Sequence, residues 1–213
     1  MDHFILWTAG AIALLLLMSA FFSGSETALT AGSRAALQRL KDKGSAPAER
    51  ALKLTEDSER LIGAVLLGNN LVNILAASLA TSLFTRLFGE AGVAWATLVM
   101  TLLVLIFAEV TPKTYAITNA ETAALRVSRP ISLVVRLFAP IVGVVRVIAR
   151  GALSLFGVKA DPDARILGAS EEIRGAIDLH HSAGAVEKDD RDRLLAALDL
   201  GQREVSEVMM HRR

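Results

Sequence analysis

Polar side chains interrupt the long apolar stretches of this chain at three places. The sequence reads Phe-Ser-Gly-Ser-Glu at 22–26, Gly-Asn-Asn-Leu-Val-Asn at 68–73 and Glu-Val-Thr-Pro-Lys at 109–113. An amide or carboxylate in hydrocarbon costs kilocalories per mole unless it has a partner. Ser, Asn and Glu supply hard oxygen ligands suited to Mg²⁺, Ca²⁺ or Na⁺, whereas zinc, copper and iron favour His or Cys. The three segments therefore predict a hard-cation site.

The amides and the carboxylate are spaced so that they can meet one ion. Asn69 and Asn73 are four residues apart and share one face of a helix, with Asn70 adjacent. Glu109 supplies a formal negative charge against the cation. Pro112 has no N–H, which leaves a carbonyl oxygen of the preceding turn free for an ion or water.

Each segment also has a simpler interpretation. Ser23 and Glu26 fit a capping box at the start of a new helix after Phe22. The asparagines fit interhelical hydrogen bonds, although three amides within five residues weaken that interpretation. Glu109 fits an ion pair with Lys113, one helical turn away.

Composition indicates that these segments lie in a membrane protein. Hydrophobic residues make up 53% of the chain, aromatic residues only 5%, and the mean hydropathy is +0.45. The runs 4–22, 61–85 and 91–108 carry no charge. At about 1.5 Å per residue, each can span a hydrocarbon core of about 30 Å. The polar start Met-Asp-His indicates that the first run is a retained helix and not a cleaved signal peptide.

Charge placement predicts the topology. The basic residues between the first two runs are Arg34, Arg39, Lys41, Lys43, Arg50, Lys53 and Arg60. The connection between the second and third runs holds Arg86 alone. Because cytoplasmic loops are enriched in Lys and Arg, we expect a multi-pass protein of the cell membrane with its N-terminus outside and its C-terminus in the cytoplasm.

A fourth apolar stretch, 131–156, differs from the others. Its arginines and those beside it are Arg129, Arg136, Arg146 and Arg150, which share roughly a 100° sector of one helix face. This pattern favours an amphipathic helix in the membrane interface, kinked at Pro140. The alternative is a fourth span, at about 2.5–3.5 kcal/mol for each arginine near the bilayer centre.

The segment after 160 is acidic, with twelve acidic against eight basic residues. We expect helices from Ser170 to about His180 and over 186–200, then a third short helix after Gly201. His180 and His181 are predicted to be solvated. The chain ends at Arg213 without a terminating pattern, so we expect the natural protein to continue. The predicted fold is an all-α membrane protein: three transmembrane helices in 1–120, juxtamembrane amphipathic helices in 121–160 and a cytoplasmic helical bundle in 161–213.

The three polar motifs, in this order on three helices, resemble the transmembrane domain of the CorC and cyclin M (CNNM) magnesium transporters. The resemblance implies a homodimer in which each subunit binds a dehydrated Mg²⁺ and exports it in exchange for Na⁺. The residues that match the family motifs, and so the metal ligands it implies, are Ser23, Ser25, Asn69, Asn70, Asn73 and Glu109. In that family a cystathionine-β-synthase (CBS) domain pair follows and binds Mg-ATP, and this sequence does not contain it.

Other function classes are less well supported. The chain has no cysteine and no evident nucleophile and base pair, so we expect no enzyme. A net charge of +1 gives no reason to expect nucleic acid binding. The alternative to transport is a membrane scaffold or regulator of ion homeostasis, whose polar residues only join helices. Membrane lipids are expected partners in either case.

Overall fold

The computed structural model describes residues 2–155 and 164–200, and these residues form helices with no strand. The α-helices are α1 Asp2–Ala31, α2 Arg34–Asp42, α3 Ala46–Glu56, α4 Ser58–Phe88, α5 Gly92–Leu103, α6 Thr111–Thr118, α7 Ala120–Leu155, α8 Ala164–Ser182 and α9 Lys188–Leu200. A 3₁₀ turn, Gly89–Ala91, joins α4 to α5, and a π-helix, Val104–Val110, joins α5 to α6. The predicted all-α fold is confirmed. The chain divides into two compact units, 1–151 and 152–213.

Among the described residues, three helical runs are long and apolar enough to cross a membrane: His3–Ala31, Ser58–Thr118 and Ala120–Ala152. The first is one continuous helix, so the capping-box interpretation of Ser23 and Glu26 is wrong: no helix begins there. The second run folds back on itself at the turn after Phe88 and contains two of the predicted spans. The third is α7, the arginine-bearing stretch.

The reversal between α4 and α5 depends on two glycines. Gly89 ends α4 with a φ of 64°, a left-handed conformation that glycine adopts without strain. At Gly92 a Cβ atom would lie 2.2 Å from the carbonyl oxygen of Phe84, so only glycine fits. The tight turn sends α5 and the π-helix back beside α4 and thereby returns Glu109 to the level of the asparagines.

Two buried clusters hold the first unit together. One joins α1, α2, α3, α4, α6 and α7 around Leu29, Leu61 and Ile131, which are at most 2% exposed. The other joins α1, α4 and α5 around Ala76, Ala80 and Met100. Small residues on α4 let the helix axes approach closely, which is how membrane helices pack without a hydrophobic driving force.

The short helices α2 and α3 carry much of the basic loop. Ser33 caps α2 by accepting a hydrogen bond from the N–H of Ala36.

Asp57 caps α4: its carboxylate accepts a hydrogen bond from the N–H of Arg60 at 3.1 Å. Partial burial alone would raise the pKa of Asp57, but the hydrogen bonds from Arg60 and from the Arg146 guanidinium outweigh it and lower this pKa below its ordinary value.

Helix α7 contacts the same end of the bundle at two separated points. Ala124 lies beside Gly32, just after α1, and Val142 lies against Gly63, near the start of α4. Helices α1 and α4 run antiparallel, because Phe4 contacts Arg86 near one end and Ser19 contacts Asn69 further along. The end of α1 and the start of α4 therefore lie at one side of the bundle. These contacts favour a helix along the membrane surface over a fourth span. The interfacial belt and its kink at Pro140 remain predictions.

The arginines of α7 do not all face lipid phosphates as the amphipathic pattern suggested. Arg146 pairs with Asp57 at 2.9 Å and with Glu59 at 3.2 Å, and Arg150 pairs with Glu59 at 3.2 Å. Acidic residues at the start of α4 thus neutralise the C-terminal part of the stripe. The sequence pattern could not show this because the partners are distant in the chain.

The second unit contains α8 and α9, which contact each other. Helix α8 begins at Ala164, so the predicted start at Ser170 is wrong by six residues. Helix α9 confirms the predicted helix over 186–200 to within two residues at its start. Arg174 of α8 pairs with Asp199 of α9. His181 Nδ1 lies 2.8 Å from the carbonyl oxygen of Val186. The third helix predicted after Gly201 lies outside the described residues.

Candidate cation-binding site

The first polar motif is positioned by two close approaches to α1. Gly24 packs on Pro112, where a Cβ atom would be 3.3 Å from the proline Cβ. Gly68 of α4 accepts the ring of Phe22, since a Cβ there would lie 2.8 Å from the ring carbon Cζ. The glycines of two motifs and the proline of the third therefore bring the three polar segments against one another. No single motif in the sequence indicates these contacts between motifs.

Polar oxygen atoms without partners are concentrated in these motifs. Ser23 and Ser25 are each 1% exposed, and neither hydroxyl oxygen has a hydrogen-bond partner in the described part of the chain. Asn73 Oδ1 is likewise buried and unpartnered. A buried group left unsatisfied costs about 1–3 kcal/mol, and native proteins keep few of them. Three predicted ligands therefore have buried oxygen atoms that are free to bind a ligand from outside the chain.

Asn73 and Glu109 line one cavity of about 500 Å³ between α4, α5 and the π-helix. Its other polar lining residues are Thr81, Thr97 and Thr101. Each threonine hydroxyl donates to the carbonyl oxygen four residues earlier, at 2.7–2.9 Å. The hydroxyl protons are therefore used within the helices, and the threonine oxygens face the cavity as acceptors.

Glu109 lies in the π-helix Val104–Val110, where the backbone N–H of Thr111 donates to the carbonyl of Ile106. Such π turns are rare and frequently occur at functional sites. Glu109 is half-buried and makes no ion pair with any residue the structure describes. The alternative pair with Lys113, which is exposed, is therefore wrong: the carboxylate lines the cavity instead.

The remaining two asparagines differ from Asn73. Asn69 Oδ1 accepts a hydrogen bond from the Ser19 hydroxyl at 2.7 Å, which joins α4 to α1. This is the interhelical bond that the simpler interpretation proposed for the amides. Asn70 is exposed on the single chain. Our sequence reasoning missed Ser19, although a serine within the uncharged run 4–22 was the available signal.

The cavity brings together two of the six predicted ligands, Asn73 and Glu109, and its lining does not include Ser23, Ser25, Asn69 or Asn70. It offers one carboxylate and the neutral oxygens of Asn73 and the threonines, a ligand set that Mg²⁺, Ca²⁺ and Na⁺ accept. In the described residues no three His, Cys, Asp or Glu side chains gather into a group that could hold a metal. The neutral oxygens and the single carboxylate of Glu109 are the ligands that the cavity offers.

Comparisons with known proteins identify a family and several relatives of this chain. A family model described as the cyclin M transmembrane N-terminal domain matches residues 10–190. The UPF0053 inner membrane protein YfjD of Escherichia coli strain K12 is 40% identical over 92% of this chain and 45% of its own length. A UPF0053 protein of Haemophilus influenzae is 34% identical over 92% of this chain and 46% of its own. The polyamine export protein of Salmonella typhimurium is 27% identical over 93% of this chain and 47% of its own. The chain spans about half the length of these curated relatives.

Proposed function

Since this chain belongs to the cyclin M transmembrane N-terminal domain family, we propose that it is the ion-binding membrane domain of a magnesium transporter. The observation that carries the proposal is the set of buried, unpartnered oxygens on Ser23, Ser25 and Asn73. A membrane scaffold has no need to bury polar atoms without partners, and each such atom destabilises the empty fold. A bound cation removes that cost.

In this proposal a dehydrated Mg²⁺ binds between the helices. Glu109 supplies the negative charge, and the serine and asparagine oxygens replace water ligands. The half-buried carboxylate supports this role because it has no cation of the chain beside it in the described residues. Mg²⁺ requires close to octahedral geometry and loses water reluctantly, so the site needs several oxygens at once. Asn69 and Asn70 belong to the same proposed set: Asn69 Oδ1 keeps a second lone pair beside its bond from Ser19, and Asn70 is exposed on the single chain.

The homodimer, the coupling to Na⁺ and the export direction belong to the same proposal. A second copy is supported by the cavity itself, because Ile74 and Leu105 on its rim are 66% and 48% exposed on the single chain. A carboxylate that faces lipid is expensive, so covering this face with protein is favourable. Export of Mg²⁺ in exchange for Na⁺ and regulation by Mg-ATP on CBS domains outside this chain rest on the family resemblance. The proposed cytoplasmic C-terminus rests on the basic residues between the first two apolar runs.

A second candidate cargo is an organic polycation. One relative is named a polyamine export protein, and the cavity beside Asn73 and Glu109 is lined mainly by apolar side chains. Methylene groups of a polyamine fit such a lining, and one ammonium group fits Glu109. The buried serine oxygens have no role in this candidate, which is why Mg²⁺ is our first proposal.

Thermal unfolding of the detergent-purified chain tests the proposal. A ligand present at about 100 times its Kd stabilises the fold by about 2.7 kcal/mol. We expect Mg²⁺ to raise the melting temperature in a saturable way, with choline chloride of equal ionic strength as the control. Saturable stabilisation by spermidine but not by Mg²⁺ would favour the polyamine candidate. Indifference to both would leave the scaffold or regulator as the function.

A further inference from the structure

A second cavity, separate from the ion site, lies between α3, the start of α4 and the middle of α7. It measures about 310 Å³, and most of its polar lining is basic. The lining residues are Arg50, Lys53, Leu54, Arg60, Ser132, Val135 and Arg136. These basic residues come from three helices that are separate in sequence. The fold therefore concentrates positive charge in a concave space.

Most of this charge is not neutralised within the described part of the chain. Lys53 is paired with Glu49 at 2.7 Å. The guanidinium groups of Arg50, Arg60 and Arg136 form no ion pair with any described carboxylate. Further along α7, by contrast, Arg146 and Arg150 both form ion pairs with acidic residues.

Arg50 gives the clearest sign that a ligand is missing. Its Nε atom is buried and has no hydrogen-bond acceptor among the residues that the structure describes. A charged donor without an acceptor costs more than a neutral one. The Ser132 hydroxyl, which donates to the carbonyl oxygen of Arg129 at 2.8 Å, makes no hydrogen bond with Arg50 Nε. An anion in the cavity would satisfy Arg50.

We infer that this cavity binds a phosphate group through Arg50, Arg60 and Arg136. Guanidinium groups present a planar fork of donors that matches phosphate oxygens, and bonds between charged partners are about twice as strong as neutral ones. Three such forks around one concave space suit a tetrahedral anion better than a planar carboxylate. The aliphatic walls, Leu54 and Val135, accept the apolar part of a phosphate ester.

The phosphate can belong to a membrane lipid or to a soluble compound. Leu133 and Leu137 stand beside Ser132 and Arg136 on α7, and both are 67% exposed, as expected of side chains that enter the acyl region. This placement puts the cavity at headgroup depth if α7 lies on the membrane surface. An anionic phospholipid then reaches it from the bilayer, whereas inorganic phosphate reaches it from solution.

Native mass spectrometry of the whole chain from detergent measures the binding. Three probes are compared: dioleoylphosphatidylglycerol, dioleoylphosphatidylcholine and inorganic phosphate. Arg50→Gln and Arg136→Gln are the test variants. Arg126→Gln is the matched control, because it removes an exposed arginine of the same helix that does not line the cavity. Melting temperatures of all variants are recorded without added lipid or phosphate.

We expect phosphatidylglycerol to bind more tightly than phosphatidylcholine, and each test variant to weaken that binding about fivefold, as expected for one basic residue near an anionic surface. Arg126→Gln should leave it unchanged. Saturable binding of inorganic phosphate with the same variant pattern would support the cavity and assign it to a soluble phosphate compound. Equal loss in Arg126→Gln, or no loss in the test variants, would overturn the inference. If Arg50→Gln does not fold, phosphatidylglycerol binding by Arg136→Gln still tests the inference, because Arg136 is exposed.

Discussion

Asn73 and Glu109 line one cavity although they belong to different helices of a hairpin, α4 and the π-helix after α5. The reversal at Gly89 and Gly92 places them together. Neither side chain is satisfied by the chain itself: Asn73 Oδ1 is buried without a partner, and Glu109 has no ion pair among the described residues. Their juxtaposition is the geometric basis of the proposed cation site.

Asn73→Ala should weaken Mg²⁺-dependent flux far more than Ser78→Ala. Asn73 Oδ1 is the unpartnered oxygen of α4, whereas Ser78 is an exposed residue of the same helix outside the cavity. Flux of Mg²⁺ into or out of liposomes that contain each variant measures the difference. Equal effects of the two substitutions would mean that the asparagine only packs helices.

Ser19 and Ser23 lie one turn apart on α1 and should behave in opposite ways. Ser19→Ala breaks the bond to Asn69 and should lower the free energy of unfolding of the metal-free protein by about 1 kcal/mol. Ser23→Ala removes an unpartnered buried hydroxyl, so the metal-free protein should be no less stable, while stabilisation by Mg²⁺ should decrease. Thermal unfolding with and without Mg²⁺ gives both quantities. If Ser23→Ala is the destabilising change and Mg²⁺ stabilises it fully, Ser23 is not a ligand.

The fold class could be predicted from the sequence, whereas the contacts around the candidate site could not. Uncharged runs of bilayer length identify the helices directly, because hydrocarbon tolerates only internally bonded backbone. The capping box failed because the same Ser and Glu pattern is compatible with a continuous helix, and the choice depends on packing around Gly24 and Pro112. The partners of Arg146, and the bond from Ser19 to Asn69, join residues far apart in the chain. Local periodicity carries no information on such contacts.

The pair between Asp57 and Arg146 should make stability depend on pH in acid. The pKa of Asp57 is lower in the folded chain than its ordinary value of 3.8, so the pair stabilises the fold above that pH and loses its effect as pH falls through the folded pKa. Because the Asp57 side chain is half exposed, the contribution is at most about 1 kcal/mol.

Arg146→Gln should therefore lower the melting temperature near neutral pH and have little effect in strong acid. Arg126→Gln, which removes an exposed arginine of the same helix, is the control. A difference between wild type and Arg146→Gln that persists unchanged in acid would show that the pair with Asp57 is not what Arg146 contributes.

Single cysteines at Ser45, Ala91 and Ala185 test the topology of this cysteine-free chain. With a membrane-impermeant maleimide on intact cells, we expect labelling only at Ala91, in the turn between α4 and α5. The other two positions should react after the cells are opened. Labelling of Ala185 with Ser45 still protected would show that α7 crosses the membrane, and the interfacial belt would be wrong.

The most direct test of the cation site is calorimetric titration of Mg²⁺ into the detergent-purified chain and into Glu109→Gln. The substitution keeps the shape of the side chain and removes the one carboxylate of the cavity. Loss of a charged ligand to a desolvated divalent ion should reduce affinity by at least about 100-fold, since charge-assisted bonds contribute about 1.5–3 kcal/mol and the ion remains uncompensated. We expect saturable binding to wild type and none measurable to a Glu109→Gln protein that elutes at the same size. Unchanged Mg²⁺ affinity in that variant would contradict the proposed site.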